Sequence, residues 1–360
     1  MLSIDSIVVS GGRPFYRFSN ADGKTWLVPS KGLSTALQLY QPGGVKGKLL
    51  KTLFPILHWF SPVRSRLHAT LEKADLRPDI AAVATEAFGN RPLSFSIFGG
   101  TPSVHQKITV QFFSGQRIDG YCKLTGSPSV KALFIHEKSL LDHLHQAGLH
   151  DIPECLGCSS LPDGASYFIQ STVKSRRSFS PYRWTNLHED FLKRMSAMTL
   201  TSVRFENSDF GESLLLLQKN LHKIPAVYHR QIKSSLSRIL EANLGHEVQY
   251  SAFHADFTPW NMFVENGRLF VFDWEYGRLT YPPMLDRYHF FTQQALHVAH
   301  LAPERIYSGM QRQPWFSPQD FTIYLLDIIS RFTLREEGEL PPAVIAMLRT
   351  WCDLLALADR

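Results

Sequence analysis

His254-Ala255-Asp256-Phe257-Thr258-Pro259-Trp260-Asn261, together with the Asp273-Trp274-Glu275 that follows it, decides how the rest of this chain is read. Each part ends an apolar strand pattern on acidic or amide side chains. Val248, Tyr250 and Phe253 lead to Asp256, and Leu269-Phe270-Val271-Phe272 leads to Asp273, with Glu265-Asn266-Gly267 supplying a hairpin turn between the strands. The pattern predicts that the two carboxylates emerge together at one end of one sheet.

Such residues are suited to phosphate chemistry. A hydroxyl that attacks the terminal phosphate of a nucleotide needs an acceptor for its proton, and one or two magnesium ions must neutralise charge on the phosphate oxygens. Asp256 suits the first task, Asn261 and Asp273 the second. Magnesium prefers oxygen ligands and keeps several waters, so an amide, a carboxylate and substrate phosphates suffice. No thiolate or imidazole cluster is needed.

Asp-x-x-x-x-Asn followed by a further aspartate resembles the catalytic loop of protein kinases, with Asp273-Trp274-Glu275 in place of Asp-Phe-Gly and His254-Ala255-Asp256 in place of His-Arg-Asp. That variant is similar to the aminoglycoside phosphotransferase and choline kinase family, small-molecule kinases with a protein-kinase-like fold. The resemblance implies that Asp256 is the catalytic base, that Asn261 and Asp273 bind magnesium, and that His254 braces the loop. It places Glu275 beside the second metal or the acceptor, and makes Asp286, in Pro282-Pro283-Met284-Leu285-Asp286, a helix-start aspartate that hydrogen-bonds the loop.

A nucleotide-binding half is expected upstream. Leu93 to Phe98 alternates as a strand into Gly99-Gly100, Ile108 to Phe112 returns, and Gly120 to Leu124 makes a third strand carrying Lys123. By the resemblance Lys123 meets the α and β phosphates. A helix from about Val130 to Ala147 sets Glu137, Leu140, Leu141 and Leu144 on one apolar face. A carboxylate on a buried face wants a cation, and Lys123 is the candidate, as the resemblance also implies. Ile152 to Leu156 and Tyr167 to Val173 read as two more strands, the second leading into a hinge whose backbone near Gln170 and Thr172 meets the adenine. The glycine loop, Gly99 to Ser103, lacks the three spaced glycines of protein kinases; phosphate contacts by Gly99 and Gly100 are carried over from the family. The similarity covers roughly residues 91 to 360.

Each assignment has a plainer counterpart. Lys123 alone is compatible with a solvated strand lysine, His254 with packing, Glu275 with a salt bridge, and Asp286 with a helix N-cap after Pro282-Pro283. Cys155-x-x-Cys158 with His143, His145 and His150 upstream has a zinc-site alternative, but its place inside an apolar strand pattern favours packing. Four cysteines in 360 residues without a pairing framework agree with a reducing compartment.

The chain is 44% hydrophobic, enough for a sizeable core, and no run approaches the roughly 20 apolar residues that span a bilayer. With no basic leader before an apolar segment, the expected location is the cytoplasm, where ATP and magnesium are available. Net charge is +6. Residues 175–360 balance at 20 basic and 20 acidic side chains, so the excess lies in residues 1–174. From Gly23 to Thr70 there is no acid, while Lys24, Lys31, Lys46, Lys48, Lys51, Arg64 and Arg66 stand among Trp26, Tyr40, Phe54, Trp59 and Phe60. Residues 24–66 therefore suit either peripheral contact with an anionic membrane or glycan, or a cap packed on the kinase lobe. No nucleic-acid motif is present.

The expected architecture is α+β and bilobal: residues 1–90 as a basic accessory module, 91–173 as a β-rich nucleotide-binding lobe, and 174–360 as a mainly helical lobe. The module is expected to begin with a strand pair (residues 4–10 and 15–18), then helices interrupted at Pro42, Pro55 and Pro62. Helices are expected over residues 188–200, 212–221, 226–243, 285–300, 318–334 and 342–357. The expected activity is transfer of the γ-phosphate of ATP or GTP, with Mg2+, to a hydroxyl of a small molecule or saccharide, a phosphorylated or lipid-linked saccharide being slightly favoured. No Ala-Pro-Glu segment follows Asp273, which argues against a protein acceptor. The alternatives are a kinase-like scaffold without turnover and a metal-dependent hydrolase built on His254, Asp256 and Asp273.

Overall fold

The computed structural model describes residues 2–20, 22–40, 42, 45–60, 62, 69–101, 105–335 and 338–359, with the side chains of Val45 and Lys46 excepted. The chain divides into two compact units, Met1–Tyr182 with Met262–Glu275, and Arg183–Asn261 with Tyr276–Arg360.

The first unit is built on one antiparallel sheet. Its strands are β1 (Val8–Ser19), β2 (Thr25–Pro29), β3 (Thr70–Leu76), β4 (Ser94–Phe98), β5 (Ile108–Ser114), β6 (Arg117–Thr125), β7 (Cys155–Ser160) and β8 (Ser166–Ser171), ordered β3-β1-β2-β4-β5-β6-β8-β7. Helices α1 (Leu33–Ala36), α2 (Val45–Leu57), α3 (Pro78–Phe88) and α4 (Pro128–Gln146) complete it. Side chains alternate across the pleat, so successive residues serve different cores. Phe15 of β1 joins Leu27, Ile97, Val110, Cys122 and Ile169, while Tyr16 joins Trp26, Val28, Phe54, Phe113 and Ile118.

Residues 1–90, expected as a module of their own, are part of this sheet and of both its cores. Leu27 pairs in register with Ile97, and Trp26 with Phe98, on which it stacks at 5.1 Å between ring centroids. The expected strand pair over residues 4–10 and 15–18 is instead a short 3-10 turn (Ile4–Ser6) and the single long β1. Gly11-Gly12, which looks like a turn, is a bulge: Ser10 and Arg13 both face Ala74. Gly12 has φ 75, and a Cβ there would lie 2.9 Å from the Ala74 carbonyl oxygen, so glycine is required. Helix α2 runs through Pro55 rather than breaking at it. Arg64, Arg66, Pro102 and Ser103 lie outside the described residues.

Beyond residue 182 the chain builds the second unit with α5 (Asn186–Met198), β9 (Thr201–Arg204), α6 (Asp209–Lys219), α7 (His229–Asn243) and β10 (Glu247–Phe253). It returns to the first unit for the hairpin of β11 (Met262–Glu265) and β12 (Arg268–Val271). It then closes the second unit with β13 (Arg278–Tyr281), α8 (Asp286–His297), α9 (Pro303–Gln311), α10 (Pro318–Leu334) and α11 (Pro342–Ala358). The core of this unit is helical, with Phe321, Leu325, Ile329, Leu348 and Trp351 fully or almost fully buried. No helix among the described residues is long and apolar enough to cross a membrane.

The expectation that Asp256 and Asp273 leave one sheet fails. β10, which precedes Asp256, pairs with β9 and β13, whereas β12, which precedes Asp273, pairs with β11. The hairpin turn at Glu265-Asn266-Gly267 joins β11 to β12 and does not involve β10. An apolar run reveals that a strand is present but not its partner, since pairing is a tertiary choice.

Candidate active site

In the first unit the deciding residue is Lys123. It lies on β6, in register between Thr109 and Phe168, and is 8% exposed. Its Nζ donates to Glu137 Oε2 at 2.9 Å, Glu137 Oε1 at 3.1 Å and Asp273 Oδ1 at 2.7 Å. Glu137 comes from the apolar face of α4, among Phe134, Leu140, Leu141 and Leu144, and is fully buried. Its Oε1 also accepts from the Trp274 backbone N–H at 3.1 Å. One carboxylate thus ties the lysine strand to the turn that carries Asp273. Burial works against the Lys123 ammonium, and the carboxylates of Asp273, Glu137 and Glu275 outweigh it, so its pKa stands above the ordinary lysine value.

Glu275 is 6% exposed and pairs with Lys107 at 2.5 Å. Sequence reasoning missed Lys107, which sits just before β5 with no pattern of its own. Its carbonyl oxygen packs against Gly100: a Cβ there would lie 2.2 Å from that atom, and Gly100 has φ 80, so glycine is needed twice over. Gly99 is held through its carbonyl, which accepts from Gln106 Nε2 at 2.6 Å.

Glu137, Asp273 and Glu275 offer one oxygen each within 4.8 Å of one another. Carboxylate oxygens are the donor type that a hard divalent cation such as magnesium prefers. All three carboxylates already meet an ammonium, Glu137 and Asp273 that of Lys123 and Glu275 that of Lys107.

Gln170 lies inside β8, in register with Tyr121 and Cys155, and Thr172 just beyond it accepts from the Lys174 backbone N–H at 3.1 Å. Neither is a hydrogen-bond partner of Lys123. Cys155 and Cys158 sit on β7, both half-buried.

In the second unit the loop after β10 holds Asp256. Asn261 Nδ2 donates to Asp256 Oδ2 at 2.7 Å and to the Asp256 carbonyl at 3.1 Å, so that its amide oxygen is not used in holding Asp256. His254 is fully buried, and its Nδ1 accepts from the Asp256 backbone N–H at 3.1 Å. Asp286 is not an N-cap: the N-cap is Leu285, and the Asp286 carboxylate accepts from the His254 and Ala255 backbone N–H groups at 2.8 and 3.1 Å. Burial pushes its carboxyl up to about 7, opposed by those two bonds. Ala255 has φ 68, and Asp273 in the other unit has φ 69. Left-handed backbone at two non-glycine positions, next to or at the motif carboxylates, is strain of the kind held at functional sites.

Two further residues were missed. His289 Nε2 is 3.1 Å from Asp256 Oδ1, and its Nδ1 is 3.3 Å from the Tyr324 hydroxyl. Burial, with the Arg331 charge adding, drives the His289 pKa well below the ordinary histidine value, so the ring is neutral. A carboxylate only accepts, which puts the proton on Nε2 and makes Nδ1 the acceptor for Tyr324. The spacing of Asp286 and His289 on a helix could have revealed it, since positions three apart share a face. Arg331, from α10, donates to the Ala255 carbonyl at 2.5 Å and to Asp327 Oδ2 at 2.9 Å; nothing in the local sequence marks it.

With this geometry in place, comparison with solved structures is informative. A thermostable mutant of aminoglycoside phosphotransferase APH(4)-Ia, solved in ternary complex with AMP-PNP and hygromycin B, aligns over 78% of this chain and 99% of its own at 16% identity and TM-score 0.52. The chain has the aminoglycoside phosphotransferase fold. APH(4)-Ia itself matches over 78% and 99% of the two chains, with 15% identity and TM-score 0.51. A second thermostable mutant of that enzyme, in ternary complex with ADP and hygromycin B, does so over 78% and 98%, with 15% identity and TM-score 0.50. No protein-family model and no curated protein matches the sequence. The fold accounts for the two kinds of unit in the chain, one sheet-rich and bearing Lys123, the other mainly helical and bearing Asp256.

Proposed function

We propose that this chain is an ATP- and magnesium-dependent phosphotransferase that moves the γ-phosphoryl group to a hydroxyl of a small molecule or saccharide. The observation that carries it is the buried Lys123, held by Glu137 and Asp273 at 2.9 and 2.7 Å. An ammonium that costs free energy to bury, and that is shared with a carboxylate suited to a cation, is poised to exchange that carboxylate for phosphate oxygens.

Asp256 would take the proton of the acceptor hydroxyl. Its two oxygens are already directed by Asn261 and His289, so little reorganisation precedes the transfer. Asp273 and Glu275 in the first unit would offer oxygen ligands to a metal, as Asn261 would in the second; a metal when bound supplies charge neutralisation on the phosphate oxygens. Lys123 would bind the non-transferring phosphates, and Gly99 and Gly100 would meet them through their backbone. Asp286 and Arg331 keep the loop in place from below. The Leu49, Leu53, Ile56 and Phe60 stripe, with Trp59, is exposed on and just past α2. That stripe and the acid-free stretch around it support peripheral contact of residues 24–66 with an anionic membrane or glycan, and with it a lipid-linked or phosphorylated saccharide as acceptor.

The test is magnesium-dependent nucleotide binding followed by thermal unfolding. A ligand at 100 times its dissociation constant adds about 2.7 kcal/mol to native stability. Stabilisation by ATP or GTP that requires magnesium and is lost in Asp273→Asn and Lys123→Ala is the expected result. Folded protein that shows no response to either nucleotide would replace the enzyme with a kinase-like scaffold.

A further inference from the structure

The phosphotransferase reading leaves Lys107 without a task. Its backbone is pinned to the turn at Gly99-Gly100 and to β6. Gln106, the residue before it, donates through Nε2 to the Gly99 carbonyl at 2.6 Å and accepts at its own carbonyl from Thr125 Oγ1 at 3.3 Å. The Lys107 carbonyl itself lies against Gly100. Two residues further on, Thr109 is the cross-strand partner of Lys123. Side chains alternate along a strand, so this register carries Lys107 toward the sheet face that bears Lys123. There its Nζ meets Glu275 Oε2 at 2.5 Å, while Lys123 Nζ meets Asp273 Oδ1 at 2.7 Å.

The two lysines thus face one group of carboxylates, Glu137, Asp273 and Glu275, which offer an oxygen each within 4.8 Å of one another. Glu275 is 6% exposed, and a carboxylate at that depth needs a counter-charge at all times. Lys107 supplies it. Burial works against the Lys107 ammonium, and the carboxylates of Asp273 and Glu275 outweigh burial and the nearby charge of Lys123, so its pKa stands above the ordinary lysine value. An ammonium and a hard divalent cation want the same carboxylate oxygens, so they compete for Glu275. The loser of that competition differs from a displaced water, because Lys107 keeps its charge and stays tethered to the glycine turn by a flexible stem. Phosphate oxygens brought to that turn are the anion that a displaced Lys107 requires.

We propose that Lys107 is a second phosphate-binding lysine, held by Glu275 in the nucleotide-free protein and exchanging that carboxylate for nucleotide phosphate when Glu275 turns to a divalent cation. The inference rests on nucleotide binding beside Lys123, as proposed above. It makes Lys107 a built-in competitor: a divalent cation alone binds poorly against it, and nucleotide relieves the competition. Metal and nucleotide then assist each other at this unit, with Lys107 as the residue that couples them.

Two binding measurements on the full chain, with folding checked by circular dichroism, test it. Mn2+ binding without nucleotide, followed by electron paramagnetic resonance of the free ion, should tighten about tenfold in Lys107→Met, the scale of one charge-assisted hydrogen bond. Binding of metal-free ATP in EDTA, followed by calorimetry, should weaken about tenfold in Lys107→Met and tighten in Glu275→Gln, which releases the ammonium. Removing either partner of a purely structural ion pair harms the turn alike, so opposite signs in the two variants identify the exchange. Should Lys107→Met not fold, tighter metal-free ATP binding by Glu275→Gln decides alone. Metal-free ATP binding that does not move in opposite directions in two folded variants, or Mn2+ affinity unchanged in Lys107→Met, overturns the proposal. Wild type that nonetheless binds ATP with magnesium, and loses it in Asp273→Asn, keeps the phosphotransferase reading without this role for Lys107; wild type that binds no nucleotide ends both.

Discussion

The imidazole Nε2 of His289 stands 3.1 Å from Oδ1 of Asp256, in a ring that burial keeps neutral. It can therefore direct the carboxylate by donating one hydrogen bond without placing a positive charge beside it. His289→Phe is expected to lower kcat by about 100-fold, the scale of a mispositioned general base, while the KM for nucleotide stays within twofold. His289→Gln, which retains a donor, should recover part of that loss. Steady-state kinetics at saturating magnesium provide the check, and a parallel change in KM would point to a general structural defect.

Glu137 has no exposure, and its carboxylate serves both Lys123 and the Trp274 amide. Removing one partner of a buried ion pair costs about 3–5 kcal/mol, because the other charge is left stranded. Glu137→Leu should lose that much by urea denaturation. The double change Lys123→Met with Glu137→Leu should regain most of it, yet bind no nucleotide.

Gly100 combines φ 80 with a carbonyl 2.2 Å from where a Cβ would go. Gly100→Ala is expected to destabilise the fold by about 1–3 kcal/mol through strain at that turn, and to weaken nucleotide binding with it. Gly164, with φ 85 and open space around it, is the control: Gly164→Ala carries the backbone strain without the clash. Equal losses in the two variants, measured by chemical denaturation, would remove the Lys107 contact from the account.

Lys174 titrates near 7 when folded and near the ordinary value of 10.5 when unfolded. Between those values the unfolded chain binds more protons than the native one, so stability rises with pH from about 7 to 10.5, by at most about 1.4 kcal/mol per unit for this one group. The difference between wild type and Lys174→Met isolates it from other lysines. That difference should shrink as pH is raised in phosphate-free buffer; a constant difference across pH 7 to 10 would mean that Lys174 is charged and satisfied in the native state.

Much of this molecule is written locally in the chain. Alternation and turn chemistry place β4, β5 and β6, and the apolar face of α4 identifies Glu137 as a buried carboxylate in need of Lys123. The helix over Pro318–Leu334 matches its expected bounds because Ser317 and Pro318 mark its start. What is not legible depends on distant partners. β3 (Thr70–Leu76) is an edge strand with mostly exposed side chains, so it lacks an apolar signature, and β9 and β13 are four residues each. His289, Lys107 and Arg331 acquire their places only through tertiary contacts to Asp256, Glu275 and Ala255. The separate accessory module fails for the same reason: nothing local in Thr25–Pro29 says that it pairs with β4.

The hairpin Met262–Glu275 belongs to the first unit although 79 residues of the second, Arg183–Asn261, precede it in the chain. It is fastened there by Phe179 to Val264, by Asp151 to Val271, and by Glu137 to Trp274. During synthesis on the ribosome, then, the sheet-rich unit cannot finish when residue 182 emerges. Until residue 275 follows, Lys123 has Glu137 but lacks Asp273. Any nascent chain, or any gene fragment ending between those points, presents a half-assembled lysine site, with the Phe179 and Glu137 hydrogen bonds to the hairpin unmade, a window in which chaperones and proteases would meet this protein first.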